Sequence, residues 1–92
     1  MFRSKESASL GVLLAKGAAI VWSRHATERA YERGVSKLDA ERVIRRGRVT
    51  GLDIQANGQE RWQLAGKDED GFAFTIVVTP IALDVLVVTV IT

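Results

Sequence analysis

His25, Arg29 and Arg33 are spaced four apart within residues 22–34, Trp-Ser-Arg-His-Ala-Thr-Glu-Arg-Ala-Tyr-Glu-Arg-Gly. On a helix that spacing stacks the three side chains on one face. An imidazole above two guanidiniums suits phosphodiester chemistry. Metal-free RNA cleavage needs a base for the ribose 2′-hydroxyl, an acid for the leaving oxygen, and cationic donors where charge builds in the transition state. His25 is the candidate base or acid. Arg29 and Arg33 are candidates for bidentate phosphate recognition, and Glu28 or Glu32 for orienting the imidazole or acting as its partner. Free amides in the first turn of such a helix add an anion site. Arg61 is a further phosphate clamp if its strand lies beneath the helix.

A structural reading competes with the chemical one. A lone histidine can simply cap a carbonyl or carboxylate at a helix–sheet junction, and Arg29 and Arg33 can pair with Glu28, Glu32 or Asp53. Arg42, Arg45, Arg46 and Arg48 cluster where a second helix should end, so they suit its negative dipole end as well as a phosphate backbone. The candidate nucleic-acid surface therefore comprises Arg29, Arg33, Arg45, Arg46, Arg48 and Arg61, with His25, Arg29 and Glu28 as the candidate catalytic set. With one histidine and no cysteine, neither a zinc site nor another cofactor is expected. Asp68-Glu69-Asp70-Gly71 lacks calcium-loop spacing and reads as a solvated turn. No glycine-rich nucleotide loop or serine-nucleophile motif occurs.

The elements that must hold these residues follow from local signals. Ser23 is a good N-cap and Gly34 a good stop, so a helix of about ten residues lies between them. Its Ala26 and Ala30 offer a small face to a sheet. Earlier, Leu10, Leu13 and Leu14 mark an amphipathic N-terminal helix that stops at Gly17, and residues 18–22 read as a short strand. Ser36 followed by Asp39 resembles a capping box, with Ala40, Val43 and Ile44 on the buried side of a helix ending at Gly47. The period then becomes two. Leu52, Ile54 and Ala56 alternate with polar or small residues, and Asn57-Gly58 predicts a tight hairpin because both residues accept positive φ. Trp62 and Leu64 continue the apolar face on the returning strand. A wider turn spans 67–71, and Phe72, Phe74, Ile76 and Val78 form the next face. Pro80 should end the pairing, and Asp84 opens a last strand, 85–92. That strand is apolar on both faces, as a central or covered strand would be.

The expected architecture is α+β: an N-terminal helix, a short strand, two short helices, then a four-stranded, mostly antiparallel, twisted sheet with helices on one face. The 92 residues allow one domain, with the helix in 1–17, the strand and helical pair in 18–47, and the antiparallel strands in 48–92. Hydrophobic residues make up 47% and charged residues 26%, an ordinary globular balance. Absence of cysteine gives no sign of an oxidising compartment, and Lys16 interrupts the apolar run 10–15, so a cytoplasmic location is expected. No apolar run approaches the roughly 20 residues of a membrane span.

The net charge of +2 is unevenly spread, at +2 over residues 1–23, +4 over 24–48 and −4 over 49–92. A basic helical half suits an anionic partner, and an acidic strand-rich half suits a basic partner or a second copy. Monomer and homodimer both remain open.

Taken together, Trp22-Ser23-x-His25-Ala26-x-x-Arg29-x-x-Glu32-Arg33-Gly34-x-Ser36, then Val43-Ile44, Gly47, Arg61-Trp62, Gly66, Gly71, Val77-Val78 and Thr89-Val90, resemble the bacterial domain-of-unknown-function family numbered forty-two fifty-eight. The resemblance spans roughly residues 18–91. Trp62 stands where family members usually carry an aromatic hydroxyl, and the end of the last strand lacks their common aromatic. The family is grouped, on fold-level likeness, with RelE-like toxins and other small ribonucleases, and occurs beside toxin–antitoxin components. The resemblance thus implies a RelE-like fold, RNA as a partner, an antitoxin or other protein partner, and His25, Arg29 and Arg33 as functional positions. Two functions follow as expectations: a toxin-like RNA-binding protein or metal-free endoribonuclease, and alternatively a non-catalytic module that binds nucleic acid or protein.

Overall fold

The structure, a computed structural model, describes residues 2–92. It contains α1 (Ser4–Ala15), β1 (Ile20–Trp22), α2 (Arg24–Arg33), α3 (Lys37–Arg46), β2 (Gly51–Ile54), β3 (Glu60–Lys67), β4 (Ala73–Ile81) and β5 (Asp84–Ile91). Helices α2 and α3 arise where local chemistry directs them. Ser23 Oγ accepts the Ala26 amide at 3.0 Å and Ser36 Oγ accepts the Asp39 amide at 3.1 Å. Gly34 at φ 70° and Gly47 at φ 69° close α2 and α3 in the left-handed conformation, which costs glycine little.

The strands form one mixed sheet in the order β1-β5-β4-β3-β2. It has five strands rather than four, because the short strand before α2 joins the sheet. β1 runs parallel to β5, with Ile20 opposite Val85 and Trp22 opposite Val87, and all other pairs are antiparallel. Asp84 fixes that junction: its carboxylate accepts the Ala19 amide at 3.0 Å, beside the Val85 amide bonded to the Ala19 carbonyl at 2.9 Å. β5 is therefore paired on both edges at Val85 to Val87, but only one of its faces is covered: Val85, Val87 and Val90 are buried, whereas Leu86 and Val88 on the other face are half-buried.

One face of the sheet carries the core. Trp62 and Leu64 of β3, Phe74, Ile76 and Val78 of β4, and Val85, Val87 and Val90 of β5 are buried there against Leu10, Ala26, Ala30, Ala40, Val43 and Ile44 of the helices. The alternation in β5 slips by one because Val77 of β4 faces Thr89 while the adjacent Val78 faces Val87. Val88 is the extra residue of a bulge, which resets the core face from Val87 to Val90. Ala26 and Ala30 lie on the sheet-facing side of α2, over β5. Gly66 plays the matching part under α3, where a Cβ would collide with both methyls of Val43.

Several expected boundaries move. β2 ends at Ile54, and Asn57-Gly58 lies in a longer loop in which only Gly58, at φ 87°, is left-handed. The Gly58 amide reaches the Gln55 carbonyl at 2.8 Å, closing a turn one residue earlier than a two-residue hairpin would. Ile54 and Phe72 are exposed rather than on the buried face. β2 is the edge strand beyond the helices, and β4 begins only at Ala73. Pro80 ends pairing with β3, whose last partner pair is Trp62 and Val78, but not with β5, where Pro80 faces Val85. Having no amide hydrogen, proline is tolerated here because its β3 side carries no ladder bond. That side is closed instead by Gln59 Nε2, which donates to the Pro80 carbonyl at 2.8 Å, and by Thr79 Oγ1, which donates to the Glu60 carbonyl at 2.6 Å.

Candidate functional site

His25 sits in the first turn of α2, two residues past the Ser23 cap. Ser23 is anchored twice to β5, by its amide on the Val87 carbonyl at 3.2 Å and by its hydroxyl on the Val88 carbonyl at 3.3 Å. β1 covers only Val85 to Val87, so β5 runs on without a strand beyond it, and the exposed His25 ring reaches that stretch. Its Nε2 lies 3.3 Å from Thr89 Oγ1. The bulge at Val88 decides this contact, since the core face passes from Val87 to Val90 and leaves Thr89 outside the core.

His25 and Thr89 stand at one end of an open groove of about 520 Å³, with Arg61 and Gln59 at the other. Leu86, Val88 and Ile81 line it between them, together with Thr79. Arg61 alternates with buried Trp62, so it lies on the sheet face away from the helices rather than beneath α2. Thr89 on β5 and Arg61 on β3 are two strand spacings apart, about 10 Å across the sheet. No carboxylate lines the groove. Asp53 faces Arg61 across the β2–β3 pair, but its carboxylate accepts the Gln55 side-chain amide at 2.9 Å.

The remaining candidates lie elsewhere. Glu28 receives Arg24 Nε at 3.2 Å, and Glu32 receives Arg29 Nη1. Neither carboxylate bonds the imidazole; the partner of His25 is the Thr89 hydroxyl. Arg29 and Arg33 follow His25 along α2 but do not line the groove. Arg45 and Arg46 are exposed at the end of α3, and Arg48 just beyond it has its guanidinium carbon 5.9 Å from the Phe2 ring. Arg42 is held by Asp39 at 2.9 Å and approaches Glu69 at 3.8 Å. Among the described residues Arg33, Arg45, Arg46, Arg48 and Arg61 have no carboxylate within 4.0 Å, whereas Arg3, Arg24, Arg29 and Arg42 do. Among the same residues no three histidine, cysteine, aspartate or glutamate side chains converge as metal ligands would.

Thr89, Thr79 and Gln59 enter the site from outside the sequence-based candidates. Thr89 belongs to the last block of the family resemblance, but its meeting with His25 depends on the bulge and on β1 stopping short, neither of which has a local signature. Comparison with protein-family models, curated proteins and solved structures finds no match to this chain. No helix is long and apolar enough to cross a membrane among the described residues.

Proposed function

We propose that this chain is a small RNA-binding protein of the RelE-like, toxin-associated kind that its motif resembles. It takes the RNA backbone on arginines that its own carboxylates leave free, and an antitoxin-type protein is its natural second partner. The observation that carries this reading is the division of the nine arginines. Among the described residues, four are neutralised locally, and five, Arg33, Arg45, Arg46, Arg48 and Arg61, are not. A cation that spends nothing on an internal pair keeps its full attraction for phosphate, and each phosphate it neutralises releases condensed counterions.

A second reading, metal-free RNA cleavage, is favoured by one feature: the exposed His25 ring shares a carboxylate-free groove with Arg61. His25 would be the proton-transferring group and Arg61 the phosphate clamp. No second acid or base lines that groove beside His25, which is why binding stands first.

The test is titration of the protein with short single-stranded RNA at increasing salt. The Arg45→Ala, Arg46→Ala double variant should weaken binding and flatten the slope of log affinity against log salt, by about 0.7 for each phosphate no longer neutralised and about 1.4 for the pair. A salt-independent interaction, unchanged in that variant, would remove RNA from the proposal and point to a protein-binding module.

A further inference from the structure

We infer that Phe2 and Arg48 form a stacking subsite for an unpaired base, so that the nucleic acid this protein takes is single-stranded. The inference rests on the RNA-binding reading above and names the form of its ligand.

The subsite lies where the start of α1 meets the chain leaving α3. The Arg3 amide donates to the Val49 carbonyl at 2.5 Å, and the Val49 amide donates to Ser7 Oγ at 2.9 Å. These two bonds fix Phe2 beside Arg48. Phe2 is 48% exposed, and the Arg48 guanidinium carbon lies 5.9 Å from its ring centroid, within cation–π range. Phe2 also borders a shallow concavity of about 490 Å³ lined by Arg3, Ser4, Lys5, Glu6 and Thr50. Arg3 is neutralised there by the buried Glu6 carboxylate. Lys5, like Arg45, Arg46 and Arg48, has no carboxylate within 4.0 Å among the described residues.

Other exposed aromatics lie in different surroundings. Phe72 follows the acidic run Asp68-Glu69-Asp70, and Tyr31 stands one turn after Glu28 on α2. Either would present an aromatic face to RNA from beside carboxylates. Phe2 alone of these three combines a half-exposed ring, a guanidinium within cation–π range and cations without a carboxylate partner among the described residues. Proteins that bind single strands use that combination: the cations track the backbone, and the aromatic takes the face of a base. A duplex keeps its base faces inside the stack, offering a Phe2 ring nothing to cover it.

The test compares a short labelled oligouridine with a blunt RNA duplex of equal length, by fluorescence anisotropy, on the full chain. Phe2→Ala should weaken oligouridine binding roughly 5- to 150-fold, the effect of losing one stacked base, with an unchanged salt slope because no charge is removed. Phe2→Trp should restore the affinity, and duplex binding should not respond to either change. Circular dichroism on each variant checks that the fold is kept. If Phe2→Ala binds oligouridine like the parent while the Arg45→Ala, Arg46→Ala variant loses affinity, the stacking subsite is wrong and the RNA-binding reading survives. Equal losses for single strand and duplex would likewise overturn the subsite. If neither RNA binds in a salt-dependent way, both readings fall.

Discussion

His25 owes its position to two neighbours that do no chemistry. Ser23 caps α2 and ties it to the Val88 carbonyl, and Thr89, turned out of the core by the bulge, meets the imidazole at 3.3 Å. Replacing His25 by alanine removes an exposed ring and leaves the cap, the bulge and the small face of α2 untouched. If the groove cleaves RNA, His25→Ala should abolish cleavage, with thermal unfolding and RNA affinity nearly unchanged. Parent-level cleavage by that variant would clear His25 of any proton-transfer role. Arg29 is an equal candidate on spacing, yet its guanidinium is engaged by Glu32. Spacing places side chains on one face but does not say which of them a neighbouring carboxylate will claim.

Helix α3 packs tightly on β3 at Gly66. There the α3 residue Val43 occupies the space that a β carbon at position 66 would need. Gly66→Ala should destabilise the protein by about 1–3 kcal/mol, the usual cost of overpacking a tight contact. Val43→Ala made in the same chain should recover part of that loss. Urea unfolding of the single and double variants measures both, and additive losses would show that the two residues do not compete for space. Helices α2 and α3 were legible in the sequence, because Ser23, Gly34, Ser36 and Gly47 act on backbone groups only a few residues away. The place of β1 was not legible. Its partner strand lies about 65 residues later, and nothing in Ile20, Val21 and Trp22 specifies a parallel neighbour. The same limit hid the Val88 bulge, which exists only in relation to β4. It also hid the groove that His25 and Arg61 both line, since that groove comes from strand order.

Across the whole molecule, the radius of gyration of 12.2 Å matches the roughly 12 Å expected of a folded chain this long. One layer of helices covers one face of the sheet. Backbone protection should follow strand order rather than sequence order. β4 is paired on both sides over residues 75–78, whereas β2 and β1 are edges of four and three residues. Amide exchange should therefore be slowest at Ile76, Val77 and Val78 and far faster at Leu52, Asp53 and Val21. Uniform protection from β1 to β2 would contradict this ordering. The charges are also arranged in space: Arg48 lies beside the start of α1, Arg45 and Arg46 lie at the end of α3, and Asp68, Glu69 and Asp70 form the loop between β3 and β4, beside the start of α3. The two signs meet where Arg42 of α3 approaches Glu69 at 3.8 Å.

The parallel pairing of β1 with β5 also matters during synthesis. A ribosome makes β1 and α2 early and β5 after every other strand. At about 5–20 residues per second, the 65 residues between Ala19 and Asp84 take about 3–13 s. Over that interval Ile20, Trp22, Ala26 and Ala30 have no sheet to cover, so the nascent chain exposes apolar surface until its last strand emerges. Chains released early would lack β5, and with it the surface on which α2 docks.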